Sequence, residues 1–189
     1  TLPAGPIYVA YSSITEDSIG QKSDIYFSRS IDCGVTWSTP ERISRPADRI
    51  NQGATIAINP QTGAVAVVWR KFDLEGDQDS IMVAVSRDLG AKFGLARVAQ
   101  RFPRLQRIVE RIAEHRRLRT AKQAAEIASF DQGTSAAALA FRTNAYPSAV
   151  YDAQGRLYVA WTQRGFATSN PDPADGHARI LITTSTDAA

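Results

Sequence analysis

One eight-residue pattern constrains this chain more than any other feature, because it returns. Ser30-Ile31-Asp32-Cys33-Gly34-Val35-Thr36-Trp37 is matched 56 residues later by Ser86-Arg87-Asp88-Leu89-Gly90-Ala91-Lys92-Phe93. Ser185-Thr186-Asp187 begins the pattern a third time, a further 99 residues on. A motif repeated at such intervals implies repeated supersecondary units that bury their apolar faces by stacking on one another. The extra length before the third copy implies an insertion.

Each copy follows a short run of β-branched and aromatic residues, at 24–29, 80–85 and 179–184, bounded by polar residues. These runs read as strands. The motif itself carries turn chemistry. An Asp carboxylate accepts backbone N–H bonds close in sequence, and a Gly two residues later takes a left-handed conformation. The closing Trp37 or Phe93 is available to pack back onto a sheet. Ser30, Asp32, Gly34, Trp37, Ser86, Asp88, Gly90, Phe93, Ser185 and Asp187 are therefore assigned a structural role, and Asp32 and Asp88 are not catalytic candidates. A second element also repeats. Residues 54–70 and 147–164 both read as strand, tight Gly-containing turn at Gly63 or Gly155, then a strand ending in Trp69 or Trp161. Residues 5–11 match only the second strand of that hairpin.

The octapeptide resembles the Asp-box, or BNR repeat, of the sialidase superfamily and other Asp-box β-propellers. Each full unit then reads as strands A, B and C, the box, and strand D, which is one four-stranded propeller blade. The expected fold is all-β: a β-propeller fragment of about three four-stranded blades, the first and third incomplete, with one helical insertion. The boundaries are blade 1 at 5–48, blade 2 at 50–99, the insertion at 100–144 and a truncated blade 3 at 145–189. Unpaired strands at both ends predict either remaining propeller blades or self-association, since exposed sheet edges promote both.

The insertion carries apolar residues at 105, 108, 109 and 112, which is helical spacing, with Pro103 placed for a first helical turn. Between Arg101 and Lys122 stand eight Lys or Arg against two Glu, whereas the whole chain carries a net +3. The segment reads as a solvated helix, and a contact for an anionic partner or glycan is the alternative. No aromatic residues interleave the basic run and no nucleic-acid-binding motif accompanies it, so a nucleic-acid partner is not expected. No apolar run approaches the roughly 18 residues of a membrane span. The single Cys33 excludes an internal disulfide, and His115 and His177 have no metal-ligand spacing, so no metal site is assigned. The sequence contains no signal peptide; an extracellular or periplasmic home is what the Asp-box resemblance implies.

Strand direction alternates in such a unit, so the boxes share one end with the short turns near 59–63 and 152–155. The other end collects the long connections: 12–23, 71–79, 163–178 and the insertion. Binding resides on long loops held by a rigid scaffold, so the active end is opposite the boxes. Asp73, Glu75, Asp77 and Asp79 alternate there as calcium ligands do. They lack the glycine and distal Glu of an EF-hand loop, so a solvated acidic loop is the reading and calcium the alternative. No other cofactor is expected.

The sialidase resemblance implies a further set. Phe141-Arg142-Thr143-Asn144-Ala145-Tyr146-Pro147 stands near the family's Phe-Arg-Ile-Pro segment, with Ala145 where the family has Arg. Arg164 ends a strand, and Asp172 follows in the loop before the third box. By resemblance, Arg142 and Arg164 would grip a sugar carboxylate through bidentate guanidinium contacts, and Asp172 would protonate the leaving group. The function so implied is binding or hydrolysis of glycans, of exo-sialidase type if the protein is a glycoside hydrolase. The rival is a non-catalytic Asp-box propeller serving as an interaction scaffold for a protein or glycan, which Ala145 favours.

Overall fold

The computed structural model describes residues 5–18, 20–72, 78–103, 146–163 and 179–185. Among them the protein is all-β, with ten strands and no helix. They are β1 (Ile7–Asp17), β2 (Gly20–Ser30), β3 (Glu41–Arg42), β4 (Ile50–Ile58), β5 (Val65–Phe72), β6 (Gln78–Ser86), β7 (Arg97–Pro103), β8 (Ser148–Tyr151), β9 (Leu157–Gln163) and β10 (Arg179–Ser185).

Three antiparallel groups follow the repeats. β4 to β7 form a complete four-stranded meander, each strand paired with the next. β1, β2 and β3 pair in order before it, and β8, β9 and β10 pair in order after it. The first group joins the meander's sheet through one parallel bridge, Ser23 to Ile50, while the last is a separate sheet. Neither sheet closes on itself.

β5 shows why the units stack. Its residues Val65 to Trp69 are fully buried, although alternate side chains of a strand face opposite ways. Val65, Val67 and Trp69 join a core with Ile25 and Phe27 of β2 and Met82 of β6. Ala66 and Val68 join another with Ile81, Leu157, Val159 and Trp161. The central meander is thus covered on both faces. Each buried Val, Ile or Phe contributes about 1.5–3 kcal/mol relative to exposure. The near-continuous apolar run from 64 to 69 is what such burial demands.

Two expected boundaries move. Residues 12–23 are not a long loop: β1 and β2 pair through to Asp17 and Gly20 as an extended hairpin. The β-branched Ile14 and Thr15 suit an extended backbone, and this pairing satisfies backbone groups that a loop would leave to water. Residues 100–103 belong to β7, where Pro103 pairs with Gln78 as the strand's last residue. β7 lies at the edge of the sheet order, where a proline is tolerated. The helix expected within 104–144 lies outside the described residues.

Candidate functional site

The two complete boxes lie at one end of the sheets and share one hydrogen-bond plan. The Ser30 hydroxyl donates to Asp32 Oδ1 at 2.7 Å and accepts the Gly34 N–H at 2.8 Å. Asp32 Oδ1 also accepts the Thr36 N–H at 2.8 Å, while the Thr36 hydroxyl donates to Oδ2 at 2.5 Å. Ser86 repeats this with Asp88 and Gly90, at 2.7 and 2.9 Å, and Asp88 Oδ1 accepts the N–H groups of Ala91 and Lys92. Gly34 and Gly90 have φ of 89° and 76°. Cys33 and Leu89 are also left-handed, at 59° and 57°, a strain that the motif did not announce.

These bonds hold the carboxylates ionised. Donation by the Thr36 hydroxyl and N–H, with Ser30, pulls Asp32 down to about 2. The Ser86 hydroxyl and the Lys92 N–H lower Asp88 in the same direction. A catalytic acid needs the opposite shift, so the box aspartates serve the turn.

The box end is also where neighbouring units are joined. Arg29 donates to the carbonyls of Asp88 and Leu89, at 3.3 and 2.8 Å, and the Tyr8 hydroxyl donates to Leu89 at 3.3 Å. Between the meander and the last sheet, Gln61 donates to the Ala153 carbonyl at 2.7 Å and Asn59 to that of Gly155 at 3.5 Å. The short turns there are occupied in assembly.

The opposite end gathers charge from separate segments. Lys71, near the end of β5, lies 3.3 Å from Asp48, and the second oxygen of that buried carboxylate accepts no hydrogen bond among the described residues. Asn51, wholly buried, donates to the carbonyls of Ser23 and Asp48 at 3.0 and 2.9 Å and accepts the Trp69 indole N–H at 2.9 Å. Arg49 bridges Asp17 and the Gly20 carbonyl. Arg70 is 4% exposed, its guanidinium 4.2 Å above the Phe72 ring. Tyr146 donates to Gln52 Oε1 at 2.8 Å, linking the start of β4 to the segment before β8. This end therefore presents cations fixed by packing and ion pairs, polar groups already ordered, and one buried acceptor.

The sequence had not singled out Asp48, Asn51, Arg70 or Lys71. A signal existed in Trp69-Arg70-Lys71, because two cations directly follow a fully apolar strand. Arg142, Arg164 and Asp172 lie outside the described residues, as do Asp187, Asp73, Glu75 and Asp77. Asp79 is described only as a backbone partner of Phe102 in β6. Ser185 is the last residue of β10. Among the described residues no helix is long and apolar enough to cross a membrane.

No protein-family model and no curated protein matches the sequence. Among solved structures, a Hadza microbial sialidase is similar over 98% of this chain and 34% of its own, with 14% identity and a TM-score of 0.55. A protein of unknown function from Dyadobacter fermentans is similar over 95% of this chain and 39% of its own, with 16% identity and a TM-score of 0.49. This chain spans about a third of the length of the sialidase. At such identity the likeness is one of fold.

Proposed function

We propose that this chain is part of a sialidase-like Asp-box propeller that binds acidic glycans at the end opposite its boxes. The β4–β7 meander is one blade in this reading, and the groups before and after it are portions of two more. The observation that carries the reading is the division of labour between the ends. Short turns and the second box are consumed in joining units at one end. Arg49, Arg70, Lys71 and the buried Asp48 collect at the other. A carboxylate-bearing sugar would be gripped there by Arg164 and Arg142, with the fixed cations adding to the field.

If the protein turns over its ligand, Asp172 is the proposed acid and the reaction is exo-sialidase hydrolysis. Ala145, where the resemblance calls for Arg, favours binding without turnover. Calorimetry with sialyllactose and with lactose tests the reading on the intact chain. Sialyllactose should bind and lactose should not. Arg164→Ala should weaken binding at least tenfold, whereas Arg97→Ala, at the box-end start of β7, should leave it unchanged. Equal affinity for the two sugars, or no loss in Arg164→Ala, would remove the acidic-glycan site. Release of sialic acid from the same ligand separates hydrolase from scaffold.

A further inference from the structure

The two internal interfaces are copies of one another, and together they specify what fits the two outer faces. In each, a strand's odd-numbered row packs against the facing side of the preceding group. The first row is Val65, Val67 and Trp69, set against Ile25 and Phe27. The second is Leu157, Val159 and Trp161, set against Ala66, Val68 and Ile81. Strand register makes these rows equivalent: Val65 pairs with Ser86, and Leu157 with Ser185, the opening serine of a box in both units.

The same register continues to the outside. Ile7 pairs with Ser30, so Ile7, Val9 and Tyr11 form the same row in the first group. No described strand packs on that row, and its residues are 42%, 41% and 40% exposed. At the far side, Ile180 and Ile182 are the register equivalents of Ile81 and Val83, and they are 73% and 65% exposed. The boxes carry the same asymmetry. Phe93 and Phe27 of the preceding group meet edge to face with ring centroids 4.6 Å apart, while the equivalent Trp37 is 45% exposed. Each exposed face is therefore one half of an interface that the molecule already makes twice. The missing half of each is on the other side of the same molecule.

We propose that a second copy of this chain docks head to tail, its β9–β10 face on the β1–β2 face of the first. The contact continues the established stacking and adds Trp37 to the Ile7–Val9–Tyr11 row. It is heterologous, so it propagates into a ring or a fibre rather than stopping at a symmetric pair. It does not depend on the glycan reading and would stand if that reading failed.

Sedimentation velocity on the intact chain, with two charge-bearing variants, tests the proposal. Wild type should gain mass between one and one hundred micromolar. Val9→Glu lacks a head and Ile182→Glu lacks a tail, so each alone should be monomeric. Mixed in equal amounts they should form a one-to-one dimer and stop there, because one live head meets one live tail. Both sites are exposed, and circular dichroism checks that each variant is folded. Ile7→Glu and Val150→Glu replace either one that is not. A monomeric wild type would overturn the proposal, assigning the faces to some other occupant. Ile182→Glu that still dimerises alone would show a head-to-head pair and overturn it equally. Failure of the mixed variants to pair would do the same.

Discussion

The two boxes are chemically twins and structurally unequal. Within each, a serine hydroxyl, an aspartate and a left-handed glycine make the same local bonds. Around them the difference is complete. The second box is held from outside by Arg29, Tyr8 and Phe27, whereas the first carries exposed Ile31, Val35 and Trp37. A box is thus two devices in one. Its inner bonds shape a turn, and its outer surface awaits the preceding unit. Among the described residues, only the second box meets a preceding unit.

The glycines expose this contrast most strongly. A Cβ at Gly90 would sit 3.0 Å from Phe27 and 3.1 Å from Tyr8, against a backbone φ of 76°. At Gly34 the nearest atom is Ile7 Cδ1 at 3.6 Å, with φ of 89°. Both positions disfavour an L side chain, by about 1–2 kcal/mol. Only Gly90→Ala adds overpacking at a buried aromatic contact, by about 1–3 kcal/mol more. Gly90→Ala should therefore destabilise clearly more than Gly34→Ala in denaturant unfolding. Equal losses would mean that the box-to-unit contact contributes nothing.

That inequality could not be read from the chain. The octapeptides were legible because their chemistry is local: a serine, an aspartate and a glycine within five residues imply a turn wherever they stand. The strands were legible too, since a row such as Val65, Val67 and Trp69 declares its burial. Whether Trp37 or Phe93 finds a partner depends on which unit lies alongside, and the two aromatics look alike in sequence. The charged end was illegible for a related reason. Asp48 and Lys71 meet only after β4 and β5 have paired, and Asn51 reaches Ser23 across 28 residues. The hairpin through Asp17 and Gly20 was missed because its polar residues suit a loop as well as an exposed strand. The proposed Arg142, Arg164 and Asp172 set came from family resemblance, not from periodicity.

A smaller effect sharpens the same contrast from the other partner's side. Arg29 reaches across to two carbonyls of the second box, yet it adjoins the first in sequence. Arg29→Ala should cost about 1 kcal/mol, the usual net worth of such hydrogen bonds. The loss should register where the guanidinium ends. Amide hydrogen exchange at Gly90 and Ala91 should quicken several-fold, while exchange at Gly34 and Thr36 stays as it was. Faster exchange at the first box instead would make Arg29 a local support of its own turn.

The smallest expected effect is the one the boxes share. Asp32 is held down to about 2, and Asp88 is lowered in the same direction. In the unfolded chain both return to the ordinary range near 4. A carboxylate whose folded value is depressed contributes stability that is fully present above its unfolded value. That contribution is lost as pH falls through the interval toward the folded value. Box stabilisation should therefore be intact at pH 5 and fade between about pH 4 and 2. Because the responsible bonds lie inside each box, Asp32→Asn and Asp88→Asn should each flatten the fall in unfolding midpoint across that interval. The double variant should flatten it further, despite the different surroundings of the two sites. A fall that stays as steep in the double variant would place the acid sensitivity outside the boxes.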